Sequence, residues 1–253
     1  MPNGTCETSE QCDMLVLSPG EIPTTDIYFR RRMERQGKNA VRFINTLKTL
    51  PQEISLREQT KIVIVRHTPI RWLRWLKKNR SRLSRVVFFM DDDIPGILSA
   101  SELPFRYALK TAWRYARTRR LLGELCTDVW VSTPELARRY AHASPKLLEP
   151  VYAAAPKESE DSRVYFYHGS WAHRREIAWL VPVIRQVQRQ DPRAWFEIMG
   201  TDRVKRMFRG IPRVRVVHPM PWTDYLDYAG NVRYQVGLAP CFDTSFNRAR
   251  SHS

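Results

Sequence analysis

The sequence predicts an α/β protein of two Rossmann-like units, the second incomplete. Short, continuous apolar runs alternate with longer segments of helical period, the pattern of parallel strands covered on both faces. The rhythm breaks once, at a small, charged stretch from Ala153 to Ser162 (AAAPKESEDS), and then restarts. The reading therefore places one unit over residues 1–152 and another over 163–253, with separate sheets and a cleft between them.

The elements follow in order. Met14 to Leu17 is an apolar strand closed by Ser18-Pro19-Gly20, and a helix runs from Thr25 to about Arg35 with Gly37 as its stop. Val41 to Ile44 and Lys61 to Val65 are strands, the second followed by a helix around Trp72 to Lys78. Val86 to Met90 (VVFFM) is a strand that runs straight into Asp91-Asp92-Asp93. Phe105 to Leu122 is a long helix, Val129 to Val131 a strand, and Glu135 to Tyr140 a helix that Ser132 or Thr133 caps. In the second unit Val164 to Tyr167, Trp195 to Met199, Val214 to Val217 and Gln235 to Leu238 are strands. Glu176 to Gln190 and Asp224 to Ala229 are its helices.

Composition bounds the partners. The net charge of +16 calls for an anionic one: nucleic acid, a membrane surface or a phosphate-bearing small molecule. No zinc-finger or RNP phrase is present, so nucleic acid is not expected. Cys6, Cys12, Cys126 and Cys241 are scattered and form no disulfide framework, which fits a reducing compartment. The polar N-terminus lacks a signal-peptide pattern, and no apolar run approaches the roughly 18–20 residues of a membrane span. The expected location is the cytoplasm, with peripheral contact to the inner face of the membrane as an option.

Several phrases resemble those of GT-B glycosyltransferases, the group 1 or family 4-like kind. YFYHGSWAHRREIAWLVPVI is similar to the opening of their donor-binding domain, and FEIMG to its next strand and glycine. VRVVHPMPWTDYLDY resembles the following strand, loop and helix, and VGLAPCFDTSFNRARSHS their G-L-A-P-L-x-D-x-x-F-N-x-x-[KR]-S phrase. VVFFMDDDIP and DVWVSTPELARRY resemble phrases of the acceptor-side domain. The resemblance implies transfer of a sugar from a nucleotide-sugar donor to a saccharide or lipid-linked acceptor hydroxyl, with retention of configuration. It implies no resident cofactor. It also implies a nucleotide-gripping helix starting near Ser251, where the sequence stops, so an incomplete donor domain with weak or no turnover is expected. The alternative is a non-catalytic remnant or partner subunit that binds nucleotide, anionic lipid or another protein.

Candidate site residues follow from chemistry and position. Asp91, Asp92 and Asp93 stand at a strand's carboxyl end, where a carboxylate can take a proton from an acceptor hydroxyl. A D-x-D metal site and a plain acidic turn remain alternatives, although the two-unit layout favours the metal-free reading. Gly169 and Ser170 follow a strand and precede a helix, where backbone N–H groups can meet a phosphate, and His173, Arg174 and Arg175 stand beside them. A plain βα turn is the competing reading. Asn247, Arg248 and Arg250 face the donor in the family frame, against the alternative of a frayed basic terminus. The run from Arg71 to Arg85 interleaves tryptophan with cations and suits either anionic lipid or packing on the sheet. Arg114 to Arg120 reads as the solvated face of a helix whose packed face carries Leu109, Trp113, Ala116 and Leu121.

Overall fold

A computed structural model describes residues 14–35, 41–100, 103–151 and 163–250. The stretch from Ala153 to Ser162, Gly37, Cys6, Cys12 and the last residues from Ser251 lie outside the described residues. Among the described residues, those up to Ile97, from Lys110 to Val151, and Ala249 and Arg250 form one compact unit. Those of Leu98–Leu109 and from Arg163 to Arg248 form the other.

The first unit holds a parallel sheet of β1 (Met14–Ser18), β2 (Val41–Asn45), β3 (Thr60–Val65), β4 (Leu83–Met90), β5 (Asp128–Val131) and β6 (Lys146–Leu147). Its order is β2-β1-β3-β4-β5-β6, so the winding reverses between β1 and β3. Alternation along the strands serves two apolar faces. Leu15, Leu17, Ile62, Ile64, Val86 and Phe88 pack with Trp72, Leu73 and Leu76 of α3 (Ile70–Lys78). Leu122 and Leu125 of α4 (Phe105–Leu125) and Leu136 of α5 (Pro134–Arg139) join that face. Val16, Val63, Val65, Val87 and Phe89 pack on the other face against Ile27, Tyr28 and Phe29.

Those last three belong to a π-helical turn, Asp26–Arg30, between α1 (Pro23–Thr25) and α2 (Arg31–Arg35). Pro23 opens the segment where a missing N–H costs nothing. The wide turn lets consecutive Ile27, Tyr28 and Phe29 all be buried, with Tyr28 tilted against Phe89 and Phe29 edge-on to it, at 4.9 and 5.1 Å between ring centroids. Thr133 caps α5 by accepting the Leu136 N–H at 3.2 Å, as its place in the sequence suggests.

The second unit holds β7 (Arg163–Tyr167), β8 (Ala194–Met199), β9 (Val214–Val217) and β10 (Val236–Gly237), all parallel, in the order β10-β7-β8-β9. Here the winding reverses between β7 and β10. One face is apolar: Tyr167, Phe196 and Ile198 pack on Ile177, Leu180 and Ile184 of α6 (Arg174–Gln190) and Val204 of α7 (Asp202–Met207). The helix α8 (Trp222–Asn231) and the short α9 (Ser245–Ala249) follow β9 and β10. The α/β class and the two Rossmann-like sheets read from the sequence are the observed architecture.

Of the two readings of the Arg71 to Arg85 run, the structure takes packing on the sheet: Trp72 of α3 is fully buried and Trp75 packs against the same core. Most of the expected packed face of α4 is turned outward: Leu109 is 50% exposed, Trp113 57%, and Ala116 is exposed too, while Leu121 packs on the core as expected beside buried Thr118, Leu122 and Leu125. The inward stripe at Thr118, Leu122 and Leu125 keeps helical spacing but lies around the helix from the stripe the hydrophobic pattern favoured.

Candidate functional site

Open parallel sheets bind ligands beyond the carboxyl ends of their strands, where the winding reverses. At that edge of the first sheet stand the three aspartates. Asp91 is fully buried at the end of β4 and accepts from Thr24 Oγ1 at 2.6 Å. Arg66 Nε reaches its two oxygens at 2.8 and 2.6 Å, and Arg66 Nη2 approaches Asp92 Oδ2 at 3.4 Å. Arg66 takes a left-handed φ of 60° directly after β3, an uncommon conformation for arginine that turns its side chain onto Asp91. Asp93 is also buried; it accepts from the Gly96 N–H at 2.9 Å, from Tyr140 Oη and from Arg139. Only Asp92 keeps a substantially reachable carboxylate, its side chain 23% exposed.

The three acids therefore do different work. Asp91 and Asp93 are neutralised by arginines and tie loops to the sheet. A guanidinium across Asp91 also blocks the hard-oxygen cage that a divalent cation needs, and among the described residues no group of metal-ligating side chains gathers. His67, next to Arg66, was not singled out from sequence. Burial lowers its pKa most, the Arg114 and Arg66 charges lower it further, and Asp91 opposes them, so its imidazole is held neutral.

The second sheet's carboxyl edge gathers more of the expected donor residues. Gly169 and Ser170 follow β7, at the reversal beside β10. Ser170 is exposed, and its carbonyl accepts from His173 N–H at 2.9 Å as the chain winds into α6. Gly169 is needed for a reason of packing: a Cβ there would lie 2.3 Å from the Tyr167 ring. In the first turn of α6, Arg174 Nη1 and the Oε2 of buried Glu176 have no hydrogen-bond partner. His173 Nδ1 sits 3.8 Å from the other Glu176 oxygen. Arg175 lies over the Phe242 ring at 5.3 Å and Arg203 of α7 over Trp171 at 5.9 Å.

Asn247 is buried in α9; its Nδ2 donates to the Phe242 carbonyl at 2.9 Å, and its Oδ1 has no partner. Arg248 pairs with Asp243 on the surface, and Arg250 is half-buried. Asn247 and Arg248 lie in α9, and Arg250 follows its end.

The face of the second sheet opposite α6 is polar, and sequence reasoning missed it. Glu197, in the middle of β8, is 1% exposed. It accepts from Tyr228 Oη at 2.8 Å, His168 Nε2 at 3.0 Å, Tyr234 Oη and Arg215. His168 Nδ1 lies 3.1 Å from Tyr225 Oη, which fixes one tautomer: the Nε2 proton goes to the carboxylate and Nδ1 accepts. Burial pushes the Glu197 pKa up, but the Tyr234 and Tyr228 hydroxyls and Arg215 outweigh it and hold the carboxyl below its ordinary value. Burial lowers His168 against the pull of Glu197. The Tyr225, Tyr228 and Tyr234 phenols are all raised, by burial first and then by the carboxylate. His168 directly precedes Gly169, so this network anchors the root of the β7–α6 loop. One signal was available: an acid inside the otherwise apolar phrase WFEIM.

No family profile and no curated protein matches the chain. The chain is similar in structure to TarM and Gap123. The S. aureus TarM G117R mutant in complex with fondaparinux, α-GlcNAc-glycerol and UDP aligns with a TM-score of 0.45 and 12% identity, over 68% of this chain and 35% of that one. A second TarM structure gives 0.42 and 12%, over 70% and 36%. The Gap123 complex from Streptococcus agalactiae gives 0.38 and 8%, over 73% and 39%. The chain thus spans little more than a third of the structures it matches. At such scores the likeness carries no argument about chemistry. Among the described residues, no helix is long and apolar enough to cross a membrane.

Proposed function

We propose that this chain takes part in glycosyl transfer of the GT-B type, from a nucleotide-sugar donor to the hydroxyl of a saccharide or lipid-linked acceptor. The observation that carries the reading is the carboxyl edge of the second sheet. There Arg174 and Arg175 open α6 after the loop that follows β7, with Arg175 over the Phe242 ring and Arg203 over the Trp171 ring. Cations and a helix N-terminus suit a diphosphate, and exposed aromatic faces suit a base. The unpartnered Arg174 Nη1 and Glu176 Oε2 are the polar atoms such a ligand would satisfy, the cation toward phosphate and the carboxylate toward a hydroxyl.

In this reading the bond from the sugar's anomeric carbon to the diphosphate oxygen breaks and a bond to the acceptor oxygen forms. The arginines neutralise the diphosphate as it leaves. The acceptor proton passes to Asp92, the aspartate left reachable, while Asp91 and Asp93 hold the turn in place. Arginine in place of metal leads to an expectation of transfer without a divalent cation. The buried, paired state of Asp91 and Asp93 equally suits a non-catalytic nucleotide-binding role. Incubation with labelled nucleotide sugars and saccharide or lipid acceptors in the presence of chelator separates the two. The transfer reading predicts product that Asp92→Asn abolishes. Product formation unaffected by Asp92→Asn removes the role assigned to that residue, and activity restored only by manganese removes the metal-free scheme.

A further inference from the structure

The helix α4 carries an unusual surface. Phe105 is 74% exposed, Leu109 50% and Trp113 57%, and exposed Ala116 continues the same line at helical spacing. A stripe of large apolar side chains on the water-facing side of a helix marks an interaction surface. Its surroundings are cationic. Arg106, Lys110, Arg114, Arg117, Arg119 and Arg120 are all exposed, and Glu124 is the only acid of the helix. That one carboxylate is taken by Lys77 and Arg120. The Arg117 guanidinium lies 4.5 Å from the Trp113 ring centroid, so cation and aromatic belong to one patch.

From this arrangement we propose that the α4 face docks on an anionic lipid surface. The apolar stripe enters the boundary between headgroups and acyl chains, and the flanking cations pair with lipid phosphates. Charge complementarity selects this occupant. A purely apolar partner would leave the cations flanking the stripe desolvated without counter-charges, and nucleic acid would give Phe105 and Leu109 no apolar medium. The inference does not depend on sugar transfer, and it moves lipid contact away from α3, whose Trp72 is buried.

The test is co-sedimentation of the full chain with phosphatidylcholine vesicles, with and without phosphatidylglycerol. Binding is expected only to the anionic vesicles and to weaken with salt. Lys110→Glu/Arg117→Glu should lower the partition coefficient at least about tenfold. Leu109→Ser/Trp113→Ser should lower it by a similar factor while leaving binding to heparin unchanged. Arg185→Glu/Arg189→Glu, on exposed positions of α6, should change it by less than about twofold. Far-UV circular dichroism checks that each variant is folded; all the altered side chains are exposed, so folding should persist. Equal losses from the α6 and α4 charge variants would reduce the effect to net charge and overturn the proposal. So would full vesicle binding by Leu109→Ser/Trp113→Ser, which would leave only a generic polyanion site.

Discussion

Replacing Glu197 by alanine should destabilise the second unit more than any single surface change. The carboxylate is buried and accepts from Tyr228, Tyr234, His168 and Arg215. A hydrogen bond to a charged group contributes about 1.5–3 kcal/mol, and such contributions within one network are not additive. Arg215 is half exposed and turns to water, so the cost falls on the two phenols and the imidazole. Together these give about 3–5 kcal/mol against a total of roughly 5–15 kcal/mol for a domain. Urea unfolding followed by far-UV circular dichroism measures the loss. Glu197→Gln keeps volume and one acceptor and should cost about half as much. Tyr234→Phe should cost about 1–2 kcal/mol, and in combination with Glu197→Gln should cost clearly less than the sum. A Glu197→Ala midpoint equivalent to within about 0.5 kcal/mol of wild type would refute the network as a stabilising hub.

Further outcomes test other parts of the structure. Arg66→Ala strands the buried Asp91 carboxylate and should cost about 3–5 kcal/mol of stability, most of it recovered in Arg66→Ala/Asp91→Asn. Gly169→Ala puts a Cβ 2.3 Å from the Tyr167 ring, and a melting curve should show a loss of about 1–3 kcal/mol. Acid should destabilise in two stages. His67 and His168 have folded pKa values below 6.5, so the unfolded chain takes up protons first and stability falls as pH drops through 6.5. Glu197, lowered from 4.5, adds a second loss below that pH; a flat profile between pH 7 and 5 would contradict the histidine environments. Burial pushes the Cys126 thiol up to about 12, so maleimide labelling read by peptide mass spectrometry should mark exposed Cys241 rapidly and Cys126 only after unfolding.

Much of the fold was legible because its signals are local. The apolar runs at Lys61 to Val65 and Val86 to Met90 lie inside β3 and β4, and Thr133 caps α5 where a threonine before proline belongs. The first helix was less legible. Its π-turn exists so that Ile27, Tyr28 and Phe29 all reach Phe89, a tertiary demand with no local signature. The orientation of α4 was misread because Leu109 and Trp113 have the spacing of a packed face, and hydrophobicity alone cannot tell a core from an external apolar partner. At the site, proximity of Asp91 to Asp93 at the end of β4 followed from sequence, but their pairing did not. Arg66 and Arg139 come from other strands and helices. The Glu197 network was beyond reach for the same reason: residues from 168 to 234 meet only when β7, β8 and α8 are folded together.

The proposed glycosyl transfer requires the carboxyl edge of the second sheet to bind a nucleoside diphosphate. The most direct measurement is isothermal titration of the chain with UDP and other nucleoside diphosphates in the presence of chelator. The account predicts saturable binding that weakens at least about tenfold in Arg174→Ala and in Arg203→Ala, each of which removes one charge-assisted contact, and that Arg85→Ala on β4 leaves unchanged. No saturable binding of any nucleoside diphosphate, or binding indifferent to both Arg174→Ala and Arg203→Ala, would contradict it.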